Sequence, residues 1–161
     1  LQLFLRHLRA GTPQGALLRI SLAWLQLQAG VKWSLMEHTN TPLPYIPTTW
    51  LTSVRTFLGT IGGILQLEAP ADEIPYKLRD DDQYLMEAVT NLRIANNTTL
   101  RAFQRVRRYL GVTLLSEIVT ADGQFLSREA WLGTRARHSP LLWPFQPKPS
   151  KQSIRTWQRL L

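Results

Sequence analysis

Leu100, Phe103, Val106 and Leu110 recur at the spacing of one helix face, while Arg101, Arg105 and Arg108 fall at i, i+4 and i+7 on the opposite one. This pattern predicts an amphipathic helix over about residues 99–110. Thr98 or Thr99 would cap it, and Gly111 can take the left-handed conformation that ends it. Earlier in the chain, Leu1, Phe4, Leu5 and Leu8 form the apolar side of a short helix broken at Gly11. Thr12-Pro13 is a restart, with threonine as cap and proline at the first helical position. From Gln14 to Ala29 apolar residues cover most of the circumference, which predicts a central core helix ended by Gly30.

After Gly30, Val31, Trp33 and Leu35 alternate with polar residues as in a short strand, and 64–68 is a candidate partner strand. Residues 40–47, with three prolines, predict an extended surface loop. Thr48 or Thr49 caps a helix with Trp50, Val54, Phe57, Leu58 and Ile61 on one face. Asp80, Asp81 and Asp82 open a helix whose apolar face is Tyr84, Leu85, Ala88, Val89 and Leu92. Asp122-Gly123 has the residues of a two-residue hairpin turn, which needs positive φ at both positions. Ser127 caps a short helix through Trp131. Residues 139–150, with four prolines, predict an extended strap carrying Trp143 and Phe145. Ser150 caps a last helix with Ile154, Trp157 and Leu161 inward and Lys151, Arg155 and Arg159 outward.

Together these elements predict a mainly α fold: an irregular bundle of six to eight helices in two lobes, with one or two short β-hairpins. The expected divisions are an N-terminal helical lobe at 1–67, an acidic linker at 68–80 and a basic C-terminal helical lobe at 81–161.

Charge sharpens that division. The net charge is +8, and 15 of the 19 basic residues are arginine, whose planar fork of donors suits phosphate and carboxylate. Residues 1–67 carry five basic and one acidic residue, 68–87 two basic and seven acidic, and 88–161 twelve basic and three acidic. A polyanionic partner is therefore sought in the last part. Two helices there each carry a basic face, at Arg101, Arg105 and Arg108 with Arg107 beside them, and at Lys151, Arg155 and Arg159. The alternative reading of such a face is simple solvation. Six tryptophans offer stacking surfaces, although helical positions also suit them to the core.

Catalytic chemistry finds little support. There is no cysteine, hence no disulfide, thiolate metal site or cysteine nucleophile. His7, His38 and His138 lack metal-ligand spacing, no serine sits in a nucleophile elbow, and Gly59, Gly62 and Gly63 do not make a phosphate loop. Consecutive aspartates at 80–82 point about 100° apart on a helix and fit a first turn better than a cation site. Asp122 and Glu129 make an acid pair only if the fold joins them. No catalytic residue, metal or cofactor is expected, and no apolar run is long enough to span a membrane.

The order LRAGTPQGALLRISLAWLQLQAG, TTWLTSVRTFL, RDDDQYLMEAV, RVRRYLGVTLLSEIVTADGQF and LLWPFQPKPSKQSIRTWQRLL resembles a region of large retroelement polyproteins of algal and oomycete genomes. That region lies between the reverse transcriptase palm and a ribonuclease-H-like domain, and the similarity covers almost the whole chain. The resemblance implies a non-catalytic thumb-and-connection segment, a piece of a longer intracellular protein, that helps hold template and primer. Its partners would be duplex or RNA–DNA hybrid backbone, bound weakly and without sequence preference, and flanking domains of the same polyprotein. The polymerase Tyr-x-Asp-Asp motif is absent here, as is the acidic set of a ribonuclease H. The alternative is a structural helical module that docks on an acidic neighbouring domain.

Overall fold

The computed structural model describes residues 1–66, 81–134 and 147–161. Among them lie seven α-helices: α1 (Gln2–Arg9), α2 (Pro13–Ala29), α3 (Trp50–Thr60), α4 (Leu85–Thr90), α5 (Asn97–Leu110), α6 (Arg128–Leu132) and α7 (Lys151–Leu160). The protein is mainly helical, as the periodicity predicts. Side-chain caps start most of these helices. Thr12 accepts from the Gly15 amide, Thr49 and Thr52 form a reciprocal capping box, and Ser127 and Ser150 accept from the third residue of α6 and α7. Gly30, Gly111 and Gly133 close α2, α5 and α6 in the left-handed conformation.

Two starts differ from the sequence expectation. Asn96, not a threonine at 98 or 99, caps α5, and it does so reciprocally with Thr99. An amide side chain one turn earlier lengthens the helix by two residues. The aspartates do not open α4, which begins at Leu85 without a side-chain cap. Asp82 instead binds the Ser116 amide and hydroxyl, tying the residues before α4 to a 3-10 turn at Leu115–Glu117.

No strand forms among the described residues. In place of the expected ladder between 31–35 and the segment from 64, the Leu65 amide donates to the carbonyl of Met36, one residue past that stretch. At 119–126 a single antiparallel bridge joins Val119 and Leu126. The Asp122-Gly123 turn is not the two-residue type, because only Gly123 has positive φ (73°). The Asp122 carboxylate accepts from the Thr120 hydroxyl and the Gln124 amide, which holds a wider loop closed by Thr120 N–H on the Phe125 carbonyl.

Buried residues from both sides of the expected boundary form one apolar cluster, running from Phe4, Leu22 and Tyr45 to Phe103, Val106 and Trp157. Phe103 stacks on Trp157 with ring centroids 4.4 Å apart, and the indole N–H donates to the Ala130 carbonyl at 2.8 Å. This locks α5, α6 and α7 together. The expected linker at 68–80 and the aromatic strap around Trp143 and Phe145 lie outside the described residues.

Helices α2 and α3 bury less than their apolar content suggests. In α2, Leu18, Leu22 and Leu25 face the core while Leu17 and Ile20 are exposed. In α3, Leu51, Arg55 and Leu58 are inward, leaving Trp50, Phe57 and Ile61 about half exposed, at 59%, 49% and 57%. A charged residue takes the inward place because carbonyls await it. The Arg55 guanidinium donates to those of Leu35 (2.9 Å), Thr41 (2.7 Å) and His38.

Candidate nucleic-acid interface

The arginines of α5 divide by position around the helix. Arg107 is fully buried, which removes it from the basic face that the sequence assigns to it. Its Nε donates to Gln104 Oε1 at 2.8 Å, one terminal nitrogen to the Val112 carbonyl at 3.2 Å and the other to the Gln28 carbonyl at 2.6 Å. Gln104 also donates to Gln28, and the buried Tyr45 hydroxyl donates to Ala29 at 2.8 Å. These two carbonyls belong to the last turn of α2, where helix carbonyls lack internal partners and the macrodipole is negative. Arg107 is thus the counter-charge of a buried helix end. Burial pushes its pKa down to about 10, which leaves it charged at neutral pH. Gly30 permits the approach: a Cβ there would sit 2.8 Å from an Arg107 terminal nitrogen, and its φ of 60° already disfavours any side chain.

Arg101 and Arg105 are exposed, and Arg108 is half-buried. Arg101 is steered by one bond, from its Nε to the Pro44 carbonyl at 2.9 Å. The Arg108 Nε is buried without an acceptor, and desolvation lowers the pKa of that guanidinium. The three line an open groove of about 380 Å³ whose other wall is Tyr45, Ile46, Pro47 and Thr48, with Gln104 at its base. No carboxylate of the described residues lines it. The far wall comes from the proline-rich loop, whose path past α5 has no signature in the sequence.

Lys151, Arg155 and Arg159 are all exposed on α7. They do not continue the α5 face. Arg101 and Arg105 lie about 160° around α5 from Phe103, and Arg155 and Arg159 about 160° around α7 from Trp157. Since Phe103 and Trp157 stack on each other between the helices, the two basic rows look away from one another. The molecule has two basic faces in place of a single track.

A larger open cavity, about 810 Å³, lies between α3 and residues 39–48 and is lined by threonines, Asn40 and Arg55 together with apolar residues such as Leu35, Leu43 and Phe57. Several of its polar groups are already engaged. Thr52, Thr56 and Thr60 donate to carbonyls of the preceding turn, and Arg55 is held by three others. Among the described residues no group of His, Asp and Glu side chains is placed to hold a metal ion, and no helix is long and apolar enough to cross a membrane. Comparison with known proteins finds no matching family model, no similar curated protein and no similar solved structure.

Proposed function

We propose that this chain is a non-catalytic helical module that contacts nucleic-acid backbone, the thumb-and-connection segment of a retroelement reverse transcriptase polyprotein. In this reading the segments 1–67 and 81–161 are two lobes flanking an acidic linker at 68–80. The carrying observation is that Arg101, Arg105, Lys151, Arg155 and Arg159 are exposed with no carboxylate of the described residues in ion-pair contact. Uncompensated guanidinium groups on helix faces are what a phosphate backbone engages, through charge more than sequence. The separation of the faces means that a duplex lies along one of them at a time, and α5 is the better candidate because Arg108 deepens it. The test is the affinity of an RNA–DNA hybrid across a salt series. Neutralising two or three phosphates gives a slope of roughly −2 to −3 in logarithmic affinity against logarithmic salt. A flat response contradicts the reading.

A second reading is a structural helical module whose basic faces dock on an acidic neighbouring domain of the same polyprotein, and the exposed apolar residues of α3 favour it as further docking surface. Under it, charge reversal at Arg105 and Arg108 disrupts co-purification with that neighbour and leaves retention on nucleic acid unchanged.

A further inference from the structure

We infer that the groove between α5 and residues 45–48 is a seat for a single phosphate group, with Arg108 at its inner wall and Arg101 and Arg105 at its rim. This rests on the nucleic-acid reading and narrows it, from a charged surface to one defined pocket.

The three arginines sit at i, i+4 and i+7 of one helix, so their forks converge on one strip of space. The groove volume of about 380 Å³ falls near the low end of cavities that hold small ligands, roughly 300–1,000 Å³. Of the other polar side chains in the wall, Gln104 uses both ends of its amide and the Tyr45 hydroxyl donates to Ala29. What remains open is cationic apart from the Thr48 hydroxyl, itself a further donor to an oxyanion. Arg101 has its Nε on Pro44, which directs the side chain and leaves its terminal nitrogens for a ligand. The Arg108 Nε–H is buried and lacks an acceptor among the described residues, a state that is costly for a group of a charged side chain. An oxyanion in the groove would supply that acceptor once the Arg108 side chain turns its Nε–H, closed to solvent as it stands, toward the groove.

Phosphate fits better than carboxylate. Three guanidinium groups with no acid among the described lining residues exceed the charge of one carboxylate, and they match the several oxygens of a phosphate in separate directions. Ile46 and Pro47 add an apolar edge against which a sugar or base attached to that phosphate can lie.

The test follows the arginine Nε–H resonances of the full chain by NMR during titration with inorganic phosphate, a 5′-phosphorylated tetranucleotide, the same tetranucleotide with a 5′-hydroxyl, and acetate. The expected result is a saturable shift of the Arg108 Nε–H with inorganic phosphate and with the nucleotides. Apparent affinity should fall at least fivefold in Arg105→Gln, vanish in Arg108→Gln and stay unchanged in Arg9→Gln. A terminal-phosphate source is recognised by tighter binding of the 5′-phosphorylated arm, and an internal one by equal binding of both. If Arg108→Gln does not fold, the wild-type shift and Arg105→Gln decide. A non-saturable shift shared by every exposed arginine, or acetate binding as well as phosphate, overturns the inference. Salt-sensitive hybrid binding without saturable phosphate binding also overturns it while sparing the broader reading. Saturable phosphate binding without hybrid binding does the reverse.

Discussion

Arg107 and Arg105 stand two residues apart on α5, and they do opposite work. Arg107, like Arg55 on α3, is withdrawn from water and donates to backbone carbonyls that no secondary structure satisfies. Arg105 has no such partner and faces solvent beside the groove. The comparison separates two uses of one residue type. A buried arginine completes the backbone hydrogen-bonding of a core and belongs to stability, whereas an exposed, uncompensated one is free for an anion and belongs to binding.

The largest effect is expected at Arg107. Its replacement by Met strands acceptors on Val112 and Gln104, at about 1–3 kcal/mol each, and removes one of the two donors to the Gln28 carbonyl, so folding stability should fall by about 2 kcal/mol or more in urea denaturation. Arg107→Lys should recover only part of this, because an ammonium cannot reach the same acceptors as a planar fork. Gly30→Ala comes next, at about 2–3 kcal/mol, since it combines a left-handed backbone with a clash against the guanidinium. If that clash is real, the penalty should shrink in an Arg107→Ala background, a coupling that a double-mutant cycle reads directly.

Tyr45→Phe should cost about 1 kcal/mol through the lost bond to Ala29. It also carries a sign in pH. Burial pushes the Tyr45 phenol up to about 12 from 10.0, so its contribution is complete below pH 10 and is lost as the pH rises through 12. Arg107, lowered to about 10, works in the other direction above that pH, because the unfolded chain then binds the more protons. The expected observation is therefore a difference: wild-type stability declines relative to Tyr45→Phe between pH 10 and 12. Equal declines would refute the assignment. The smallest stability effects belong to Arg101→Gln and Arg105→Gln, within about 0.5 kcal/mol. Each should nonetheless reduce the salt slope of hybrid binding by about 1.

Much of the fold was legible because its signals are local. Thr12-Pro13, Ser127 and Ser150 mark helix starts by side-chain chemistry, and Gly30, Gly111 and Gly133 mark ends by backbone freedom. What escaped depends on contacts distant in sequence. The inward turn of Arg55 and Arg107 is set by carbonyls at 28, 35, 38 and 41, and no periodicity reveals a carbonyl in need of a donor. Trp50, Val54, Phe57, Leu58 and Ile61 read as a core face; Leu58 is buried as that reading expects, yet Leu51 joins it in place of Trp50, Phe57 and Ile61 once Arg55 is drawn inward. The Asp80–Asp82 run looked like a helix start, while Asp82 serves a turn that follows 34 residues later. Of the candidate site, the α5 and α7 rows were visible as arginine spacing. Their opposite directions were not, because that follows from the stacking of Phe103 on Trp157.

The division between stabilising and binding arginines is tested most directly by the double substitution Arg101→Glu, Arg105→Glu, with thermal unfolding and RNA–DNA hybrid binding measured on the same sample at low salt. The expected result is an unfolding midpoint within a few degrees of wild type and affinity reduced at least about tenfold, a loss of roughly 1.4 kcal/mol. Unchanged affinity, with or without a fall in the midpoint, would contradict it.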